Sequence, residues 1–166
     1  MAPDGSLRRA AAPLADVVND ALEALTPAYL RVLADGAVSA EHALHLVVMD
    51  PAASPARDAF ERAILVERSV GEPARWEADY AHYARAKARL AWREGATTAD
   101  LVERTPALLR PGDLVVEGAV CRHGLVVAAS GAQPWFDAAF AAMLVELVHA
   151  RLRDRLATAR AGDGTW

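Results

Sequence analysis

Four short apolar runs, arriving in two pairs and separated by stretches of helical periodicity, set the tightest limit on what this chain can fold into. The first run, Ala43 to Met49, ends at Asp50-Pro51; the second, Ile64-Leu65-Val66 within Phe60 to Arg68, lies between charged residues and is closed by Gly71. Apolar runs this short, bounded by Pro, Gly or Asp, read as strands rather than helices. The second pair, Leu114 to Cys121 and Leu125 to Ser130, follows the Pro111-Gly112 turn and is joined through Gly124. Each pair predicts an antiparallel hairpin, the first with a long Pro/Ala/Ser loop between its strands.

Helical segments surround these hairpins. Leu14, Val17, Val18, Ala21, Leu22 and Leu25 recur at the spacing of one buried helix face, with Pro13 as a suitable first residue. Thr26-Pro27 predicts a restart into a shorter helix that stops at Gly36. Pro73 to Gly95 is the most helical stretch, Thr97 to Asp100 resembles a capped start for a short helix, and Pro134 opens a long final helix with Phe140, Leu144, Leu147, Val148 and Leu152 on one stripe. The resulting order predicts an α+β fold, an antiparallel sheet of two hairpins flanked by helices rather than a doubly wound parallel sheet. With 166 residues the chain suits a single domain, placed here at 13–160, and the small, aperiodic residues 1–12 read as a mobile tail.

Charge and composition narrow the function classes. The formal net charge of −4 gives no basic excess for phosphate backbones, so nucleic acid is not an expected partner. No apolar run reaches the roughly 18 residues of a membrane span. The Arg8-Arg9 pair lacks the sustained apolar stretch that a signal peptide needs, and Cys121, the single cysteine, allows no intramolecular disulfide. A cytoplasmic protein is the expectation. The chain has no G-x-S-x-G elbow, no Walker-type phosphate loop and no G-x-G-x-x-G, which disfavours the usual hydrolases, NTPases and dinucleotide enzymes. No histidine or cysteine pair has zinc-site spacing, so no metal centre is expected, and His45 reads as a core histidine with satisfied hydrogen bonds.

Two constellations carry chemistry. Trp76, Tyr80, Tyr83 and Lys87 recur at helical spacing, and a lysine among aromatics either anchors a ligand carboxylate or pairs with a nearby acid. Ser130-Gly131, between a strand and a helix start that includes Asp137, is a turn whose free amides suit an anion, unless Asp137 itself caps them. These give Trp76, Tyr80, Tyr83, Lys87, Ser130 and Gly131 as candidate ligand-binding residues. Lys87, Asp137 and Glu67 are the candidates for acid-base chemistry.

The stretch from Lys87 to Asp137 resembles the haem-binding GlcG/HbpS-like family of small α+β proteins. The likeness is carried by Ala86-Lys87-Ala88, the glycines Gly118 and Gly124 around a hairpin, the strand Leu125 to Ala129 running into Ser130-Gly131-Ala132, and Asp137 in the next helix. A looser likeness reaches back to about residue 43. The chain departs from the family at Leu90, where members often have threonine, at Ala128, where a strand glycine is usual, and in the Pro/Ala loop after Asp50. The resemblance implies a profilin-like sheet, a homo-oligomer, and a small-molecule ligand that in some members is haem; it assigns no iron ligand to any residue here. The leading expectation is therefore a small-molecule-binding protein for haem or a related tetrapyrrole. The alternatives are a cofactor-independent lyase, isomerase or cyclase acting on a small carboxylated metabolite, or an oligomeric structural or interaction module.

Overall fold

In the computed structural model, which describes residues 4–162, the apolar runs assemble into one four-stranded antiparallel sheet with order β2-β1-β4-β3. The chain runs α1 (Asp4–Leu33), β1 (Leu44–Met49), α2 (Phe60–Ala63), β2 (Ile64–Val70), α3 (Tyr80–Glu94), α4 (Thr98–Glu103), β3 (Ala119–Arg122), β4 (Leu125–Ser130) and α5 (Pro134–Gly162). Both expected hairpins form, β1 with β2 and β3 with β4, and β1 pairs with β4 to join them. β1 and β4 are buried along their whole length, as central strands covered on both faces must be, which is why they read as unbroken apolar runs.

The pleat sorts the side chains into two cores. Leu44, Leu46 and Val48 of β1 and Leu125, Val127 and Ala129 of β4 face α1 and α5, meeting Val18, Leu22, Phe140, Leu144 and Val148. Tyr29 ties the two helices together: its ring meets Phe140 edge-on at 5.1 Å and its hydroxyl donates to the Phe140 carbonyl. On the other face Val47, Met49, Val126 and Ala128 meet Ala84, Ala88 and Ala91 of α3. Those alanines let α3 lie close to the sheet, and full burial of each larger aliphatic contributes about 1.5–3 kcal/mol.

Four elements differ from the sequence pattern, the first being α3, which begins at Tyr80 and not at Pro73, where only a short 3-10 turn forms over 73–75. α1 begins at Asp4 and continues through Pro13 and Pro27 without the restart, because Leu7 to Ala12 are strong helix formers and the Thr26 hydroxyl donates to the Leu22 carbonyl beside the missing proline amide. Phe60 to Ala63 forms a helical turn instead of strand, so β2 begins at Ile64. β3 is shorter than 114–121 and starts after Gly118, whose φ of +135° departs from strand geometry. The Thr98 hydroxyl exchanges hydrogen bonds with both backbone groups of Ala119, taking over part of the ladder there. Among the described residues no helix is long and apolar enough to cross a membrane.

Candidate functional site

Two polar groups interrupt the otherwise apolar layer between α3 and the sheet. The first is Lys87, which shares the buried side of α3 with Ala84, Ala88 and Ala91. Its Nζ donates to Asp137 Oδ2 at 2.7 Å and to the Ala129 carbonyl at 3.1 Å, and the two side chains are only 3% and 2% exposed. Asp137 stands in the first turn of α5, where its Oδ1 accepts the Ala132 amide at 2.9 Å. Burial pushes the Asp137 carboxyl up to about 6, against the lowering pull of Lys87 and of the Ala132 and Gly131 amides. The anion that the Ser130-Gly131 turn was expected to bind is thus supplied by the protein's own carboxylate. Gly118 roofs the pair: a Cβ there would meet Lys87 Nζ at 2.7 Å and the Ala129 carbonyl at 2.9 Å.

The second group is open at one end. His45 of β1 and Ser69 of β2 are direct cross-strand partners, with Glu67 one pleat further along on the same face. His45 Nε2 lies 2.8 Å from Glu67 Oε1 and its Nδ1 lies 2.8 Å from Ser69 Oγ, while Arg85 of α3 grips both Glu67 oxygens at 2.8 and 2.7 Å. Burial raises the Glu67 carboxyl, but the hydrogen bonds from Arg85 and His45 outweigh it and hold the group below the usual carboxylate range. An ionised carboxylate only accepts, so Nε2 carries the proton. In the neutral ring Nδ1 then keeps its lone pair and accepts from the Ser69 hydroxyl.

A cleft of about 960 Å³ lies between α1 and the outer end of β2, walled by Pro27, Leu30, His42, Arg68, Val70, Gly71 and Arg75 among others; Ser69 borders it, but its hydroxyl lies on the opposite face of the strand with His45. The Ser39 hydroxyl donates to the Gly131 carbonyl at 2.6 Å and accepts the Ala43 amide at 3.0 Å, which pins the turn carrying His42. His42 sits at φ +50° and its Nδ1 lies 2.6 Å from the Leu33 carbonyl. A carbonyl cannot donate, so Nδ1 bears the hydrogen and Nε2 holds the lone pair of the neutral ring. Arg68 makes no ion pair among the described residues, whereas Arg75 pairs with Glu72 at 3.1 Å.

No family model, no curated protein and no solved structure matches the chain. The reading of the site therefore rests on its own residues.

The remaining candidates divide. Tyr80 faces inward and its hydroxyl donates to Glu41 Oε1 at 3.1 Å, with burial and that carboxylate pushing its phenol up to about 12. Trp76 precedes α3 instead of sharing its face; its ring packs edge-on against Tyr80 at 5.4 Å, and its indole nitrogen is buried without a hydrogen-bond partner. Tyr83 is 42% exposed and meets His82 edge-on, away from the others, because the buried side of α3 runs through Ala84 and Lys87. Ser130 is buried opposite His45 on β4, and Gly131, at φ +140°, packs against the Ala43 carbonyl. Trp76, Tyr80, Tyr83, Lys87, Ser130 and Gly131 do not line the 960 Å³ cleft.

Sequence reasoning passed over Ser69 and His42. Ser69 had no local signal, since its partner His45 is 24 positions away. His42 lies in the turn before β1, in a left-handed conformation, where no periodicity marks a side chain as facing a cleft. Among the described residues no cluster of three or more His, Cys, Asp or Glu side chains is placed to hold a metal ion.

Proposed function

We propose that the chain is a small-molecule-binding protein whose ligand lies in the cleft between α1 and β2, with haem or a related tetrapyrrole as the ligand that fits its residues best. The observation that carries this reading is His42, a cleft residue whose Nδ1–H is spent on the Leu33 carbonyl and whose Nε2 has no partner among the described residues. That is the tautomer an imidazole needs to ligate a metal. The volume lies within the ~300–1,000 Å³ typical of ligand pockets, Pro27, Leu30 and Val70 offer apolar wall, and Arg68 offers a cation for a carboxylate. His42 Nε2 would hold such a group, whose iron would supply an electrophilic centre for the imidazole. The likeness to the GlcG/HbpS-like family supports the same ligand class, and with it a profilin-like architecture and a homo-oligomer. A lyase or isomerase built on Lys87 and Asp137 is the weaker reading, because both groups are sealed and satisfy each other.

Hemin titration of the purified protein, followed at the Soret band, tests this. A saturable shift at a stoichiometric ratio is expected, weakened at least tenfold in His42→Asn, a substitution that tolerates the left-handed backbone. A linear, non-saturating response overturns the tetrapyrrole reading.

A further inference from the structure

We propose that Arg68 is the carboxylate-binding residue of the cleft, and that the cleft admits apolar molecules that end in a carboxylate. The inference rests on the reading of the cleft as a ligand site and deepens it by naming the chemistry that enters. Arg68 stands on the same face of β2 as Val66 and Val70, with Leu46 of β1 as its cross-strand partner, on the side of the sheet that packs against α1. It is half-buried, and its guanidinium makes no ion pair or hydrogen bond with any described residue. Charges set among apolar side chains are ordinarily paired, because the surroundings that displace water must replace its hydrogen bonds. Here no protein group does so, and the side chain lines the cleft of about 960 Å³.

The other polar groups of the cleft are committed or of the wrong kind. Arg75 is paired with Glu72 at 3.1 Å. Glu41 accepts the Glu77 amide at 2.8 Å and the Tyr80 hydroxyl at 3.1 Å, and the Thr26 hydroxyl donates to the Leu22 carbonyl. The free Nε2 of His42 is a lone pair and cannot donate to an anion. Arg68 is thus the cation left for a ligand among the described residues lining the cleft, and the Glu23, Glu41 and Glu72 carboxylates on the same walls oppose a second negative charge inside. A guanidinium and a carboxylate match through two parallel, charge-assisted hydrogen bonds. Pro27, Leu30 and Val70 give the apolar body its wall. Two sources share this chemistry: a tetrapyrrole, with one propionate at Arg68, and a fatty acid, with its only carboxylate there.

Acids and their esters separate the carboxylate from the body that carries it. Hemin and hemin dimethyl ester, followed at the Soret band, and cis-parinaric acid and its methyl ester, followed by fluorescence, are titrated into the full chain as wild type, Arg68→Met and Arg68→Lys. At least one of the two acids is expected to bind the wild type saturably and about tenfold or more tightly than its ester. Arg68→Met keeps the stem without the charge and should bind acid and ester about equally, while Arg68→Lys should restore part of the preference. The urea midpoint of Arg68→Met should not fall below that of the wild type, since no ion pair is lost, so weakened acid binding in it reports the ligand contact and not the fold. A preference shown by parinaric acid alone, with no saturable hemin binding, assigns the fatty-acid source and overturns the tetrapyrrole reading while the carboxylate site stands. Saturable hemin binding without an acid preference in either pair keeps the tetrapyrrole reading and overturns this proposal. A preference that persists in Arg68→Met, or saturable binding of neither acid, overturns it as well.

Discussion

The layer between α3 and the sheet holds two charged groups of similar composition and opposite character. At Lys87–Asp137 every polar atom seen to bond does so inside the protein, and both side chains are about as inaccessible as the core leucines. At His45–Glu67–Arg85 the carboxylate is 21% exposed, the guanidinium 50%, and the chain of hydrogen bonds ends on half-buried Ser69. The residue types alone would have favoured the first as the chemical site, since a lone lysine beside an aspartate suggests catalysis. Access decides otherwise. A sealed pair fastens α3 to the start of α5, whereas the open group keeps its carboxylate and guanidinium in contact with solvent.

Removing one partner from each group gives the largest contrast. Lys87→Ala strands Asp137 in a dry site, and breaking a buried pair this way costs about 3–5 kcal/mol, so urea denaturation should show a midpoint far below that of the wild type. Arg85→Ala removes an ion pair whose arginine is half exposed, and the expected loss is at most about 1 kcal/mol. Equal losses in the two variants would break the comparison. A Lys87→Met, Asp137→Leu double variant should recover most of the stability lost in Lys87→Ala, because two apolar groups leave no orphaned charge.

How much of this was legible in the sequence follows the same division between local and non-local information. The central strands were plain because burial on both faces makes every residue apolar, and the helices α1 and α5 showed their buried stripes directly. Lys87 and Asp137 stood out individually, one as the only lysine and the other at a helix start, but nothing in their spacing joined them across 50 positions. Tyr83 was misassigned because a stripe of aromatics was weighed above the small residues, and it is the alanines that decide which side of α3 approaches the sheet. Ser69 and His45 meet only through strand register, which a short apolar run beside a charged one does not specify. The start of β3 after Gly118 was not legible, since the lysine amine that packs against that glycine lies on another element.

Two glycines sharpen the comparison at intermediate cost. In Gly118→Ala the new methyl would stand 2.7 Å from Lys87 Nζ at a φ of +135°, and in Gly71→Ala it would stand 2.6 Å from the His42 carbonyl at +102°. Each is expected to lose about 1–3 kcal/mol by thermal denaturation. Their functional effects should differ. Gly71→Ala disturbs the cleft wall and should weaken the hemin titration, while Gly118→Ala strains only the sealed pair and should leave it unchanged at temperatures where the variant is folded.

The smallest effect separates the two groups by sign. Asp137 has its folded-state value raised to about 6, above the ordinary unfolded aspartate, so its favourable contribution is complete below the unfolded value and is lost as pH climbs through 6. Glu67 has its folded-state value lowered, so it stabilises above the ordinary glutamate value and loses that contribution as pH falls through the depressed one. Of the two carboxyls only Asp137 titrates between pH 7 and pH 5, and the wild type should gain about 1 kcal/mol over that interval relative to Asp137→Asn. Denaturant midpoints of the two proteins at both pH values give the difference directly. A gap that does not change with pH would mean that Asp137 stays ionised throughout, held by Lys87 more strongly than burial opposes it, and the sealed pair would then be tighter than its geometry indicates.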